Sequence, residues 1–198
     1  KGVEAMFLNI AGTAHTKKTE IIFAPTQWLK GTGIGIYALG LTQHVGQTGA
    51  LGLNVMSMRF GDIPVTTTDQ PEGTGFNFTP QFLNMALSYA KGFSNAIYGG
   101  IALKVVTERI SNVVARDVAI DAGIQYLGGK HDQIKFGIAL KNWGMPMKYN
   151  GDGFSFKTPV PASTTNTTMT VDQRTAPFQL PASLSIGAGY DFYVLKGK

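Results

Sequence analysis

Between Gly99 and Leu140, bulky apolar residues fall on every second position through three successive segments. In Ile101–Glu108 the apolar set is Ile101, Leu103 and Val105, and Lys104 and Glu108 take the other phase. In Val118–Tyr126 the phase moves to even numbers, so that Val118, Ile120, Ile124 and Tyr126 oppose Asp121, Gly123 and Gln125. Ile134, Phe136, Ile138 and Leu140 then oppose Lys135, Gly137 and Lys141. A period of two gives β-strands with one apolar and one polar face. What remains open is whether the apolar face meets a protein core or lipid.

Composition narrows the choice. Charged residues are 15% of the 198, well below the usual quarter, and glycine is abundant at 25. Such a chain is too apolar for disorder and suits a soluble β-sandwich or a membrane β-barrel. The net charge of +5 is modest and its lysines and arginines form no run, which argues against a nucleic-acid partner. The absence of cysteine removes disulfides and thiol chemistry. No secretory signal pattern follows Lys1-Gly2-Val3-Glu4, so the chain reads as a mature or partial one. Gly31–Met58 contains no Asp, Glu, Lys or Arg and has the length of a membrane helix. Its seven glycines, and the break at Gly46-Gln47-Thr48-Gly49, make it a hairpin instead.

Strands are expected near 19–29, 33–44, 48–60, 81–91, 96–110, 115–127, 132–143 and 179–193, within a single domain over 1–198. Residues 1–14 place Val3, Met6 and Phe7 at helical spacing and read as a plug-like cap. Tight turns at Val45–Thr48, Gly92–Asn95 and Gly128–His131 fall at one end of this meander. The long links, 61–80 and 144–178, fall at the other, with short connections at Leu29–Thr32 and Ser111–Val114. Sorting loops by length in this way is a habit of outer-membrane barrels, whereas a Greek-key sandwich has no reason for it. Strands of about 10 to 13 residues match a tilted membrane crossing, against about 5–6 in ordinary sheets. The expected fold is all-β: an antiparallel, up-and-down transmembrane β-barrel with its apolar face toward a lipid bilayer. The other face would line a lumen carrying Lys104, Glu108, Asp121 and Lys135. Lys104 and Asp121 are expected to pair across their hairpin and neutralise each other.

Gly61-Asp62-Ile63-Pro64-Val65-Thr66-Thr67-Thr68, followed by Gln70-Pro71-Glu72-Gly73-Thr74-Gly75, resembles the long loop of the PorV/PorQ family of FadL-like outer-membrane proteins. Supporting pieces are Asn9-Ile10-Ala11-Gly12, Thr26-Gln27-Trp28-Leu29, Glu108-Arg109-Ile110, Asn142-Trp143-Gly144 and Leu180-Pro181-Ala182-Ser183-Leu184. The resemblance spans nearly the whole chain. It implies a barrel of about fourteen strands with an N-terminal plug, of which about eight lie here, so the chain is expected to be part of a longer one. Ile10 stands where the family's plug motif has proline, which leaves open the tight turn that the proline would fix. The resemblance further implies an accessory subunit of type IX secretion in the outer membrane of a Gram-negative bacterium. Its partners would be an outer-membrane translocon protein and the C-terminal signal domains of exported cargo.

Loop 61–80 is the expected partner-binding element. Asp62, Asp69 and Glu72 supply acceptors, Ile63, Val65, Phe76 and Phe78 supply apolar contacts, and Pro64 and Pro71 stiffen the path. The alternative function is a FadL-like passive channel for hydrophobic small molecules; a soluble β-protein is a third reading. No catalytic residue is expected, and the chain reads as no enzyme. Ser94 and Ser111 lie in no nucleophile elbow. His15, His44 and His131 are too scattered for a metal site. Gly31-Thr32-Gly33-Ile34-Gly35 lacks the Lys-Ser/Thr that completes a phosphate loop, and no cofactor is implied.

Overall fold

The structure is a computed structural model and describes residues 1–160 and 167–192. Eight long strands follow one another in a single antiparallel sheet. They are β1 (Thr19–Trp28), β2 (Ile34–Val45), β3 (Gly49–Arg59), β4 (Gln81–Gly92), β5 (Ile97–Ile110), β6 (Val113–Gly128), β7 (Ile134–Gly144) and β8 (Ser183–Tyr190). Each pairs with its neighbours in sequence, so the order in space is the order in the chain. A short ninth strand, Tyr149–Asn150, adds to the start of β6. Among the described residues no strand pairs with the outer edge of β1 or of β8. The part of link 144–178 that covers residues 161–166, and the end of the eighth expected strand at 193, lie outside the described residues.

Alternation sets the two faces, and register lines them up across strands. On one face Leu41, Leu53, Leu87, Leu103 and Ile120 form one continuous cross-strand row. On the other, Thr42, Gly52, Ser88, Ala102 and Asp121 form the matching row. The first face is open: Leu87, Ile101, Leu103 and Ile124 are each at least 54% exposed. The second is covered, and Ala50, Ala90, Ala115 and Ala119 are fully buried.

The cover comes from the N-terminus. Instead of one helix over 1–14, the N-terminus forms two 3-10 segments, Gly2–Phe7 and Ile10–His15, broken at Asn9, which is extended. They lie flat on the sheet because its floor there is glycine and alanine. A Cβ on Gly100 would come within 2.7 Å of Ile10, and one on Gly123 would collide with the Asn9 side chain. Ile10 needs no proline geometry to be held, since it packs against Ala86, Ala90 and Ala102. Asn9 secures the bend: its Oδ1 accepts from Ala11 N at 3.1 Å, while its Nδ2 donates to the carbonyls of Ile124 and Ile138 at 3.1 and 3.0 Å.

Candidate functional site

Two regions gather the polar chemistry: the covered face of the sheet, and the loop between β3 and β4. On the covered face the N-terminal segments occupy the half nearest the tight turns. A second cover folds in from the other end. Met147 and Phe178 exchange backbone hydrogen bonds at 2.7 and 2.9 Å, and Met147 is buried against Val106 and Ala115. Tyr149 stacks on Phe178, and its hydroxyl donates to Glu108 Oε2 at 2.7 Å. Link 144–178, expected as a long loop at the end of the meander away from the tight turns, is therefore folded partly inward over the sheet.

Between the two covers lies a polar belt. Lys104 Nζ and Asp121 Oδ2 are 2.6 Å apart with side chains only 9% and 5% exposed. Lys104 also donates to Asn142 Oδ1 at 2.8 Å, and Asn142 N donates to Asp121 Oδ1 at 2.8 Å. Three residues from β5, β6 and β7 thus close a ring of charge-assisted hydrogen bonds. The ring exists because β7 bulges there. Ile120 pairs with Trp143 and Ala122 with Leu140, so Lys141 and Asn142 together oppose Asp121. Asn142 takes a left-handed φ of 55°, which Asn tolerates better than most residues. Lys141 reaches the other way and donates to the Phe7 carbonyl, tying the bulge to the N-terminal cover. Asn84 Oδ1 and Asp117 Oδ2, flanking Val106 in the next row, are buried without a hydrogen-bond partner among the described residues.

The four expected lumen charges share this face but not one site. Lys104 and Asp121 meet. Glu108 sits toward the long-link end and holds Tyr149. Lys135 lies at the opposite end and pairs with Asp191 at 2.5 Å in a well-exposed position. Asn142 joins the Lys104–Asp121 pair, Tyr149 holds Glu108 and Asn9 ties the N-terminal cover to the sheet, three roles that the sequence does not assign. The one local signal was a slip of phase, in which the apolar series ends at Leu140 and resumes three residues later at Trp143.

Loop 61–80 is an ordered excursion. Ile63 pairs with Phe78 and Pro64 with Asn77, and Val65 N donates to Phe76 O at 2.8 Å. Thr74 donates twice to Val65 O, through N at 2.8 Å and through Oγ1 at 2.9 Å, and Thr79 donates to Asp62. Asp62, Ile63, Pro64, Asp69, Pro71 and Glu72 are exposed, as is Phe76 at 74%; Val65 and Phe78 are half-buried. The paired stem carries Phe76 as an uncovered aromatic ring, and the tip beyond it carries Asp69 and Glu72 exposed and in no ion pair among the described residues.

Among the described residues no group of His, Asp and Glu has the arrangement of a metal site. His15 packs its ring on Tyr98 at 4.2 Å, and burial, then the nearby Lys1, lowers its pKa. No described helix is long and apolar enough to cross a membrane. Neither a protein-family model, nor a curated protein, nor a solved structure matches the chain.

Proposed function

We propose that the chain forms the wall of an outer-membrane β-barrel of the PorV-like kind, which recognises other proteins through the 61–80 excursion. The observation that carries the membrane part is the open apolar face. A fully buried Leu or Ile side chain is worth about 1.5–3 kcal/mol. Leaving ten of them half-exposed to water would forgo on the order of 10 kcal/mol, comparable to the whole stability of a domain. Lipid removes that penalty. The band also has the right height. Val118 to Tyr126 runs about 26 Å along β6, or roughly 20 Å vertically at the usual barrel tilt, close to the ~25 Å apolar band of outer-membrane barrels. Tyr89, Tyr126, Phe136 and Tyr190 cluster toward the tight-turn end of their strands, as an interfacial girdle would.

The recognition part rests on the excursion. Its backbone is held by its own hydrogen bonds, so little ordering cost falls on binding. Phe76 and Ile63 offer apolar anchors, and Asp69 and Glu72 offer acceptors at the rim of the same element. In this reading the work is recognition and handover in type IX secretion, with a translocon protein and cargo signal domains as partners.

The test is native purification of the full-length protein in mild detergent with mass spectrometry of what accompanies it, before and after deletion of 61–80. Co-purification of a large outer-membrane protein or of exported proteins, lost on deletion while the barrel still folds, supports the proposal. A lone barrel whose deletion changes only uptake of hydrophobic solutes would replace it with the channel reading.

A further inference from the structure

The open face carries its arginines at one end only. Arg59, Gln81 and Arg109 stand in one cross-strand row of β3, β4 and β5. Arg116 stands in the next row, opposite Thr107. Below them come Val55, Met85, Val105 and Val118, and then Leu53, Leu87, Leu103 and Ile120, without a charge. All three arginines are exposed, and among the described residues none forms an ion pair. Arg116 donates only to Thr107 Oγ1, at 3.3 Å. Arg59 also borders a hollow of about 350 Å³ with Tyr37, Thr79 and Gln81; Asp62 lines it too, with its carboxylate engaged by the Thr79 hydroxyl. Toward the opposite end the same face offers Lys91, two residues from Tyr89 on β4, and Tyr126 on β6, a different chemistry.

Guanidinium groups present forked donors that match phosphate oxygens, and their stems lie well along apolar surface. Three of them in no ion pair among the described residues, with Asp62 the one carboxylate beside Arg59, stand at the upper edge of a hydrocarbon-compatible surface, the level at which lipid phosphates sit. Arg59 and Arg109 are two strands apart, roughly 10 Å at about 4.8 Å per strand. One monophosphate would leave part of this charge uncompensated. Resting on the membrane reading above, we propose that the patch seats one lipid whose headgroup carries two phosphates, with its acyl chains on the apolar rows beneath.

The test uses full-length protein in non-ionic detergent and native mass spectrometry with diphosphoryl lipid A, monophosphoryl lipid A or phosphatidylglycerol at equal concentration. Diphosphoryl lipid adducts should exceed the other two, and should fall about tenfold when Arg59, Arg109 and Arg116 are all changed to Gln. The triple Lys variant should retain part of the binding, and Lys91→Gln all of it. Equal adducts with phosphatidylglycerol, or undiminished adducts in the Gln variant, would overturn the proposal. If the triple Gln variant does not fold, Arg109→Gln and the three-lipid comparison on the unaltered protein decide. Failure of the membrane reading is separately visible, as a protein that stays folded and monodisperse without detergent.

Discussion

Leu103 and Lys104 are neighbours in β5 and differ from 56% to 7% in exposure, with the charged residue the buried one. The contrast extends over the whole sheet. The open face is broad, branched and uncharged between its rims. The covered face is mostly small and polar, and its Lys104–Asp121 pair is buried. An ordinary globular sheet buries the first kind of face and wets the second. Here the backbone segments that could have covered leucines cover glycines instead. Small residues let the segment lie close enough for the Asn9 side-chain amide to reach two strand carbonyls, whereas a leucine face would hold it away. The two faces are thus built for different surroundings, and each can be attacked separately.

The largest effect is expected at the covered ion pair. Asp121→Ala leaves Lys104 buried and removes the acceptor for Asn142 N. The expected loss is about 3–5 kcal/mol, read from denaturant unfolding in detergent. Changing Lys104 to Met and Asp121 to Leu together should cost less than the single change, because no unpaired charge remains. A neutral Asp121→Ala would mean that this belt is hydrated, and the contrast between the faces would weaken.

Next comes the open face itself. Leu103→Arg should cost about 2–4 kcal/mol if Leu103 faces the middle of a bilayer. In water the same change at a half-exposed site would be within about 0.5 kcal/mol, or would improve solubility. Folding yield into liposomes of Leu103→Arg, against Arg109→Leu at the rim, separates the two cases. An Arg at 103 that folds as well as the parent would remove the membrane reading.

A smaller loss is expected from the N-terminal cover. Asn9→Ala removes the cap to Ala11 and two donations to strand carbonyls. About 1–3 kcal/mol of local stability should go, seen as faster protease cleavage before Thr19 with the sheet unchanged. Gly123→Val should give the same phenotype by steric means, since the Cβ occupies the place of the Asn9 side chain. If both variants keep a protected N-terminus, the cover is held elsewhere, by Lys141 on Phe7 O and by Glu20, which accepts from Val3 N.

What the sequence made legible follows the range of the interactions. The strands were readable because period-two alternation is local, and seven of the eight begin within two residues of their expected starts. Lys104 meeting Asp121 was readable because a two-residue connection between β5 and β6 fixes their register. Glu108 and Lys135 share that face, but alternation tells the face and not the height, so they lie far from the pair. Met147, Tyr149 and Phe178 were not readable. Their inward fold depends on contacts between segments some thirty residues apart, with no periodic signal of their own. The two 3-10 segments replaced a helix because Asn9 prefers capping to continuing a helix, and a flat glycine floor rewards close backbone approach.

The smallest effect sharpens the comparison at the long-link end of the sheet, where Tyr149 bridges the inward link and β5. Burial first, and then the hydrogen bond to Glu108 and its negative charge, push the Tyr149 phenol up to about 12. Because the folded pKa lies above the ordinary value near 10, the neutral phenol is the form the fold prefers. Its contribution is complete below that ordinary value and is lost as pH rises toward the folded one. Near-ultraviolet titration of the protein against Tyr149→Phe should show one tyrosine ionising late. Glu108→Gln should bring it part of the way down, since the carboxylate's charge goes while burial stays. Full return to the ordinary value would make Glu108 the whole cause and leave the inward link no screening role. No change would mean that Tyr149 does not sit on Glu108, and the second cover would lose its tie to β5.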